Sequence, residues 1–581
     1  MDKVASRNDA RRMIRSSLPG TLLLFAALPA TAAQLPSAQV GSSADVSRPS
    51  IIYQRELVVG DTSGASPTWY SVSLREGDYV TGSINQKGRT RIVIYLPDGS
   101  LLRRFPSPPD DGKRDFEFAA EAAGPYRIEI VPYDETAHYD FRFEVTSLDD
   151  HLRSPSQNDR YPSSRMEALR RQVASGNTNT NAFWTQIAAE GTPLAEPFGT
   201  DGKYELVTFL WRATYNTKNV MVVGSMRVPS DGFDQPPSSW PSSHYAMRHV
   251  EGTDVWYLTL KLPAGARFVY KLSPNDAFAT SGQPSATEQA DPLNHLPRWE
   301  CEAGASKFAC DSVAEMPGAI AQPWWRKRPG VPEGTIASYT IHSNLQRLDR
   351  KISVYTPAGY HADGRPNALL VLFDADTYLN PSTDLPTTMN NLIANAEIPP
   401  TVVLFVFNAA GRRLPDLLAN SQFSDSVAME LIPWLRAHYN VTKLPSQTVV
   451  GGYSAGGFAA DYTALLHPEI FGNVLSQSGA VWWSPGIDID NRDATTETDW
   501  LARQYIRRPK LPLKFYLDAG AFEADTHGTG GGVLEANRDF RDVLLAKGYP
   551  VRYQQFIGGH DGVSWRGTIA DGLIDLLGRA H

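Results

Sequence analysis

The C-terminal third of the chain carries residue types that can do nucleophilic chemistry together. Gly452-Tyr453-Ser454-Ala455-Gly456 has the pattern G-x-S-x-G. A serine hydroxyl is a poor nucleophile near neutral pH, so it needs a base, and the base needs an orienting partner. Downstream, "QQFIGGHDGVSWRG" places His560 in a Gly-rich loop after an apolar run and before the last helical pattern. His527, in "ADTHGTGGG", is the competing base. The acid is expected in "LKFYLDAGAFEAD", where Asp518 still belongs to the apolar run, Glu523 lies just past it and Asp525 is the alternative. An oxyanion would take the backbone N–H of Ala455, which opens a helix, and that of Ala375, which follows Asp374 at the end of "LLVLF". Taken alone, the pentapeptide reads equally well as a Gly-rich turn around a buried serine, and both carboxylates as surface groups. The elements around them decide.

Gln447-Thr448-Val449-Val450 reads as a buried strand, and "GGFAADYTALLHP" as a helix stopped by Pro468. Ser454 therefore sits on a strand-to-helix turn, where flanking side chains would collide with neighbouring backbone. From about Ala337, two antiparallel-type strands, "ASYTIHS" and "RKISVYTP", precede the apolar strands "ALLVLF", "TVVLFVF", "QTVVGG", "NVLSQS", "LKFYLD" and "VRYQQF", which alternate with helices such as "SDSVAMELIPWLRAHY". That alternation predicts an α/β fold with a mostly parallel sheet over 335–581, with ligands at the C-terminal strand ends, and the order serine, acid, histidine along it is that of the α/β-hydrolases. Two β-rich regions precede it. Short alternating strands with turn signals predict a β-sandwich accessory domain at 51–148. A basic helix, "SSRMEALRRQVA", leads to a second β-sandwich at 180–317. Residues 34–50 read as a linker, as does the Pro/Gly-rich stretch 318–334.

Lys3, Arg7, Arg11, Arg12 and Arg15 precede the apolar run "TLLLFAALPATAA", which predicts a signal peptide over 1–33 with Ala30-Thr31-Ala32 before the cut, and hence a periplasmic or secreted protein. Residues 1–32 hold five basic and two acidic side chains, so the net charge of −8 becomes −11 without them. An acidic chain is a poor nucleic-acid partner. The two cysteines, Cys301 and Cys310, are expected to form a disulfide in an exported protein. The twelve histidines show no metal-ligand spacing, and no second segment is long and apolar enough to span a bilayer.

The stretches "LFDADTY", "RRLPDLLANSQF", "ELIPWL", "VVGGYSAGGFAA", "HPEIFGNVLSQSGAVWW" and "GGHDGVSWRGTIADGLIDLL" resemble the enterochelin (catecholate siderophore) esterases, as do "GTDVWYLTLKLP", "ADPLN" and "SVAEMPGAIAQP" in the second β-rich region. The resemblance runs from about 180 to 581; it omits 51–148 and the Cys301–Cys310 segment. It implies a serine esterase that opens a catecholate trilactone such as enterobactin, with Ser454 as nucleophile, His560 as base and Glu523 as acid. No cofactor is implied, since iron arrives with the small-molecule substrate. Arg413 matches the family's arginine in an R-x-x-[ED]-L context, and Arg412-Arg413 would hold positive charge near the site for an anionic aromatic ligand. Trp482, Trp483 and Trp565 could stack on catechol rings or simply pack a core. Arg566 reads as a surface residue at a helix start. A feruloyl or acetyl esterase acting on polysaccharide, and an inactive siderophore- or glycan-binding protein, are the alternative readings.

Overall fold

The computed structural model describes residues 50–578, apart from 52–55, 64–66, 77, 89, 106–111, 121, 133–135, 148–162, 227–244, 277–286, 302–306, 486–498 and 525–531. The alternatives Asp525 and His527, and the expected signal peptide, lie outside the described residues. All described residues belong to one unit, Pro49–His581.

The chain is multidomain and ends in an α/β-hydrolase fold. Its sheet has eight strands, numbered here β1 (Thr335–Ser343), β2 (Leu348–Thr356), β3 (Ala368–Leu372), β4 (Thr401–Val406), β5 (Thr448–Tyr453), β6 (Asn473–Gln477), β7 (Lys514–Gly520) and β8 (Val551–Phe556). Their order is β1-β2-β4-β3-β5-β6-β7-β8. β1 and β2 pair antiparallel, β2 meets β4 antiparallel, and the rest is parallel. The central strands are apolar throughout because both faces are covered. Leu369 and Val371 of β3 point into one buried cluster, Leu370 and Leu372 into another. The first is closed by the helix Ala455–Leu466 through Phe458, the second by the terminal helix Gly562–Leu577 through Ile569 and Leu573. The stretch read as one helix from Ser424 to Tyr439 is interrupted. It widens into a π-helical turn at Val427–Leu431, just ahead of Pro433, which cannot donate a backbone hydrogen bond.

Upstream, a five-stranded and a four-stranded sheet share the cluster that joins Tyr70, Ile92 and Ile128 of one to Val80, Phe118 and Phe141 of the other. Two of these strands, Leu101–Phe105 and Gly112–Ala119, go beyond the sequence reading. The helix Ser164–Ala174 forms where the basic stretch was read, capped by Ser163. It leads to a four-stranded sheet (Leu194–Phe198, Tyr204–Arg212, Val255–Pro263, Arg248–His249) and a three-stranded one (Val220–Gly224, Arg267–Pro274, Ser312–Glu315). Phe209 and Leu258 of the first meet Val222 and Phe268 of the second in a further cluster.

The stretch 318–334, read as a linker, makes hydrogen bonds to the α/β region. Asn391 Nδ2 donates to Trp324 O at 2.6 Å and to Arg326 O at 2.8 Å, and Gln322 Nε2 donates to Val563 O at 2.8 Å. Arg566 is likewise not a surface residue. It is 7% exposed, its guanidinium carbon lies 3.8 Å from the Trp325 ring centre and 5.4 Å from that of Trp299, and its Nε donates to Gln322 Oε1. Burial lowers its pKa to about 10.

Candidate active site

Ser454 separates β5 from the helix Ala455–Leu466. Its φ of 54° is costly for a residue with a Cβ, and the surrounding backbone imposes it. Ser454 N donates to Gln477 O at 2.9 Å, and Ser454 O accepts from Ala480 N at 2.9 Å. The two glycines of the pentapeptide are required by contact. A Cβ on Gly452 would stand 2.5 Å from the Gly456 carbonyl carbon, and one on Gly456 would stand 2.8 Å from Asp374 Oδ2.

His560 lies in the loop between β8 and the helix Gly562–Leu577. Its Nδ1 donates to Glu523 Oε1 at 2.6 Å. A carboxylate accepts here, so in the neutral imidazole the proton sits on Nδ1 and the lone pair on Nε2. Glu523 ends the single helical turn Ala521–Glu523 that follows β7. Its other oxygen, Oε2, accepts from Gly520 N at 2.5 Å. The glutamate side chain is 1% exposed and the histidine 41%, so the pair is anchored inside and opens outward at the imidazole. Trp565 brings His560 and Ser454 into one neighbourhood. Its ring stacks on Tyr453 at 4.4 Å, next to Ser454, and meets His560 edge-on at 4.8 Å. Ser454 Oγ and His560 are not hydrogen-bonded to each other in this state; such contacts commonly tighten when substrate binds. Asp518 stays inside β7, fully buried, and accepts from Ser478 N at 2.9 Å.

Ala455 and Ala375 are each the first residue of a helix, so neither N–H has an intrahelical acceptor. β3 and β5 are adjacent, and Phe373 N donates to Gly451 O at 3.0 Å, which sets the Asp374–Ala375 turn beside the serine. Asp374 has φ 57° and takes a bidentate pair from Arg413, whose Nε and Nη2 each lie 2.8 Å from it. Asn408 Nδ2 adds a third donor at 2.5 Å.

Both arginines expected to bring positive charge to the site are ion-paired. Arg413 is neutralised by Asp374, and Arg412 pairs with Asp416, which also holds the buried Arg350 at 2.7 Å. Burial works against the Arg413 charge, but Asp374 outweighs it and the guanidinium pKa rises. Arg413 remains 37% exposed and lies 5.5 Å from the centre of the Tyr453 ring. Of the tryptophans, Trp565 is not an open stacking surface: it is 5% exposed, faces Tyr453, and donates Nε1 to Ser478 Oγ at 2.9 Å. Trp482 and Trp483 are half-buried against the core, with Trp483 edge-on to Phe458 at 5.5 Å. Cys301 and Cys310 are joined, with Cα atoms 4.8 Å apart.

Asp374, Tyr453 and Ser478 were not singled out from sequence. An acidic residue ending an apolar strand beside the nucleophile was the one available signal, and it pointed at Asp374. Among the described residues no group of three or more His, Cys, Asp or Glu is placed to hold a metal, and no helix is long and apolar enough to cross a membrane.

Comparison with known proteins agrees with this layout. Residues 343–576 match the family model described as "Putative esterase", and 206–325 match "Enterochelin esterase, N-terminal". The iron(III) enterobactin esterase of Dickeya dadantii (strain 3937) is 29% identical over 435 residues, covering 70% of this chain and 94% of that protein. The iron(III) enterobactin esterase of Escherichia coli (strain K12) is 30% identical over 391 residues, covering 64% and 90%. Among solved structures, the enterobactin esterase of Shigella flexneri in the presence of enterobactin has a TM-score of 0.52 at 25% identity, covering 68% of this chain and 97% of that one.

Proposed function

The chain belongs to the enterochelin esterase family, and from that membership we propose that it is a serine esterase opening the ester bonds of a catecholate siderophore trilactone such as enterobactin. The observation that carries this reading is the Glu523–His560 hydrogen bond, with His560 linked through Trp565 to Tyr453, the neighbour of a serine held at positive φ. Ser454 Oγ attacks the ester carbonyl while His560 Nε2 takes its proton. Glu523 stabilises the imidazolium that forms. The N–H groups of Ala455 and Ala375 receive the oxyanion. Collapse expels the seryl alkoxide of the substrate, which His560 protonates. Water then enters by the same base and frees Ser454. The chemistry uses side chains and backbone alone; iron enters only as part of the substrate. The half-exposed Arg413, with Arg412, Trp482 and Trp483, supplies cationic and aromatic contacts to the tris-catecholate.

The reading extends to the domains. The paired sheets within 51–148 and within 180–317 are two β-sandwich domains, the second being the family's N-terminal domain. The basic, then apolar N-terminus supports export to the periplasm or beyond. The deciding assay incubates the protein with ferric and iron-free enterobactin and with a feruloylated oligosaccharide, and identifies products by mass. Linear dihydroxybenzoylserine esters are expected. Release of ferulate with no attack on either trilactone would replace this reading with that of a polysaccharide esterase.

A further inference from the structure

We infer that Ser225 and Asp561 are positioning residues for the base: through them the β-rich region at 194–316 grips the loop that carries His560. The inference rests on the serine-esterase reading above.

The loop Ile557–Asp561 has no regular structure of its own. The His560 ring is held by Glu523 and by the edge of Trp565, so the direction of its backbone is set by the loop's two ends. At one end Ile557 O accepts from Arg267 N at 2.9 Å. At the other, the buried Asp561 carboxylate divides its oxygens between two tasks. Oδ1 caps the terminal helix by accepting from Ser564 N at 3.1 Å. Oδ2 reaches the other region, accepting from Ser225 Oγ and, at 3.4 Å, from Val269 N. Between these ends two glycines let the backbones touch. A Cβ on Gly558 would stand 2.6 Å from Arg267 O, and one on Gly559 would overlap Ser225.

The same region reaches the acid. Phe522, next to Glu523, lies in the cluster built by the two upstream sheets, 6.1 Å from the Phe268 ring. Phe522 N also donates to Gly558 O at 3.0 Å, tying the acid's turn to the base's loop. Acid and base are thus fixed to each other and to the strand Arg267–Pro274. Ser454, by contrast, takes its backbone contacts from its own sheet and the loop after β6. The distance between nucleophile and base is therefore set across the junction, and Asp561, adjacent in sequence to His560, is where the junction meets the site. A displacement of about 1 Å in such a geometry costs on the order of 10²-fold in rate.

The test uses the full chain and three variants. Ser225→Ala removes the donor. Ser225→Thr keeps the hydroxyl. Asp561→Asn can keep an oxygen for the helix cap while presenting an NH₂ to Val269 N–H. Two rates are read: kcat and KM on p-nitrophenyl butyrate, and inactivation by a p-nitrophenyl alkylphosphonate. In the latter Ser454 Oγ bonds to phosphorus, p-nitrophenolate leaves, and His560 takes the serine proton, whatever the natural ester is. Thermal melts confirm that each variant is folded. For Ser225→Ala and Asp561→Asn, kcat and the inactivation rate are expected to fall about 10- to 100-fold with KM nearly unchanged. Ser225→Thr should recover most of the loss. A folded Ser225→Ala that is phosphonylated at the wild-type rate overturns the inference, as does an equal loss in Ser225→Thr. Failure of the wild type to be labelled at Ser454 is a different result: it removes the serine-esterase reading, and this inference with it.

Discussion

The mechanism proposed for His560 requires a carboxylate beneath it that cannot turn away. Glu523 is tied at one oxygen to Gly520 N and at the other to His560 Nδ1, so the imidazole has one tautomer and one orientation. Ser454→Ala and His560→Ala are each expected to lower kcat by about 10³- to 10⁶-fold with the fold retained. The double variant should be hardly worse than either single one; additive losses in steady-state kinetics would mean that the two do not form one site. Glu523→Ala is expected to cost less, on the order of 10²- to 10⁴-fold. Arg413 has two duties. Arg413→Ala leaves the Asp374 carboxylate, 2% exposed, with Asn408 as its remaining side-chain donor, and should lower stability by roughly 1–3 kcal/mol in urea unfolding, less than for a wholly buried pair. Because Asp374 already offsets its charge, the rise in KM for a ferric catecholate ester should be about tenfold, the low end for a charge-assisted contact. Equal rises on that ester and on a neutral short-chain ester would confine Arg413 to holding Asp374. Ser454, His560 and Glu523 could be proposed from sequence because each follows an apolar strand. The Arg413–Asp374 pair could not, because its members are 39 residues apart and meet only when β3 and β4 lie side by side.

Strand β7 carries a second carboxyl group with a different fate. Burial pushes Asp518 up to about 8, far above the usual carboxyl range near 4. An acid whose folded pKa is raised is most compatible with the fold when neutral. Its contribution is fully present below about pH 4 and is lost as pH rises through 8. The thermal midpoint of the wild type should therefore fall between about pH 4 and 8 more steeply than that of Asp518→Asn, which keeps an acceptor for Ser478 N and cannot ionise. Parallel slopes in calorimetry would show that Asp518 is not the group responsible. At this scale the sequence was readable where burial is two-sided. The strands "ALLVLF" and "TVVLFVF" are continuous apolar runs because helices cover both faces. It was less readable in "GKRDFEFA", where charged residues interrupt the alternation and strand pairing with Asp78–Lys87 decides the outcome. The π-helical turn before Pro433 is likewise local chemistry that a helical period does not register.

Across the whole molecule, Ser454 takes its backbone contacts from the eight-stranded sheet and the loop after β6, while the loop carrying His560 also bonds to the upstream β region. Ser225 and Asp561 lie 336 residues apart, a separation no local pattern can bridge. Cys301–Cys310 closes a short loop next to Trp299, whose ring would stand 2.5 Å from a Cβ on Gly562 of the terminal helix. Its ends are nine positions apart in sequence, so the bridge should contribute at most about 3 kcal/mol. Thiol titration of the native protein without reductant should find no free thiol, and the Cys301→Ser/Cys310→Ser variant should unfold at lower denaturant by no more than that amount. The stretch 318–334 bears on how the protein meets a protease. Its composition, with Arg326, Lys327 and Arg328 in a Pro/Gly-rich run, advertises a tryptic cut. Yet its carbonyls are held by Asn391, Gln322 is hydrogen-bonded to the terminal helix, and Trp325 lies against Arg566. A scissile bond must be drawn out into an extended form to enter a protease cleft, which here means first releasing those contacts. Native protein should resist trypsin at Arg326 and Lys327 until conditions approach global unfolding, and the esterase half should not be obtainable by limited digestion at that point.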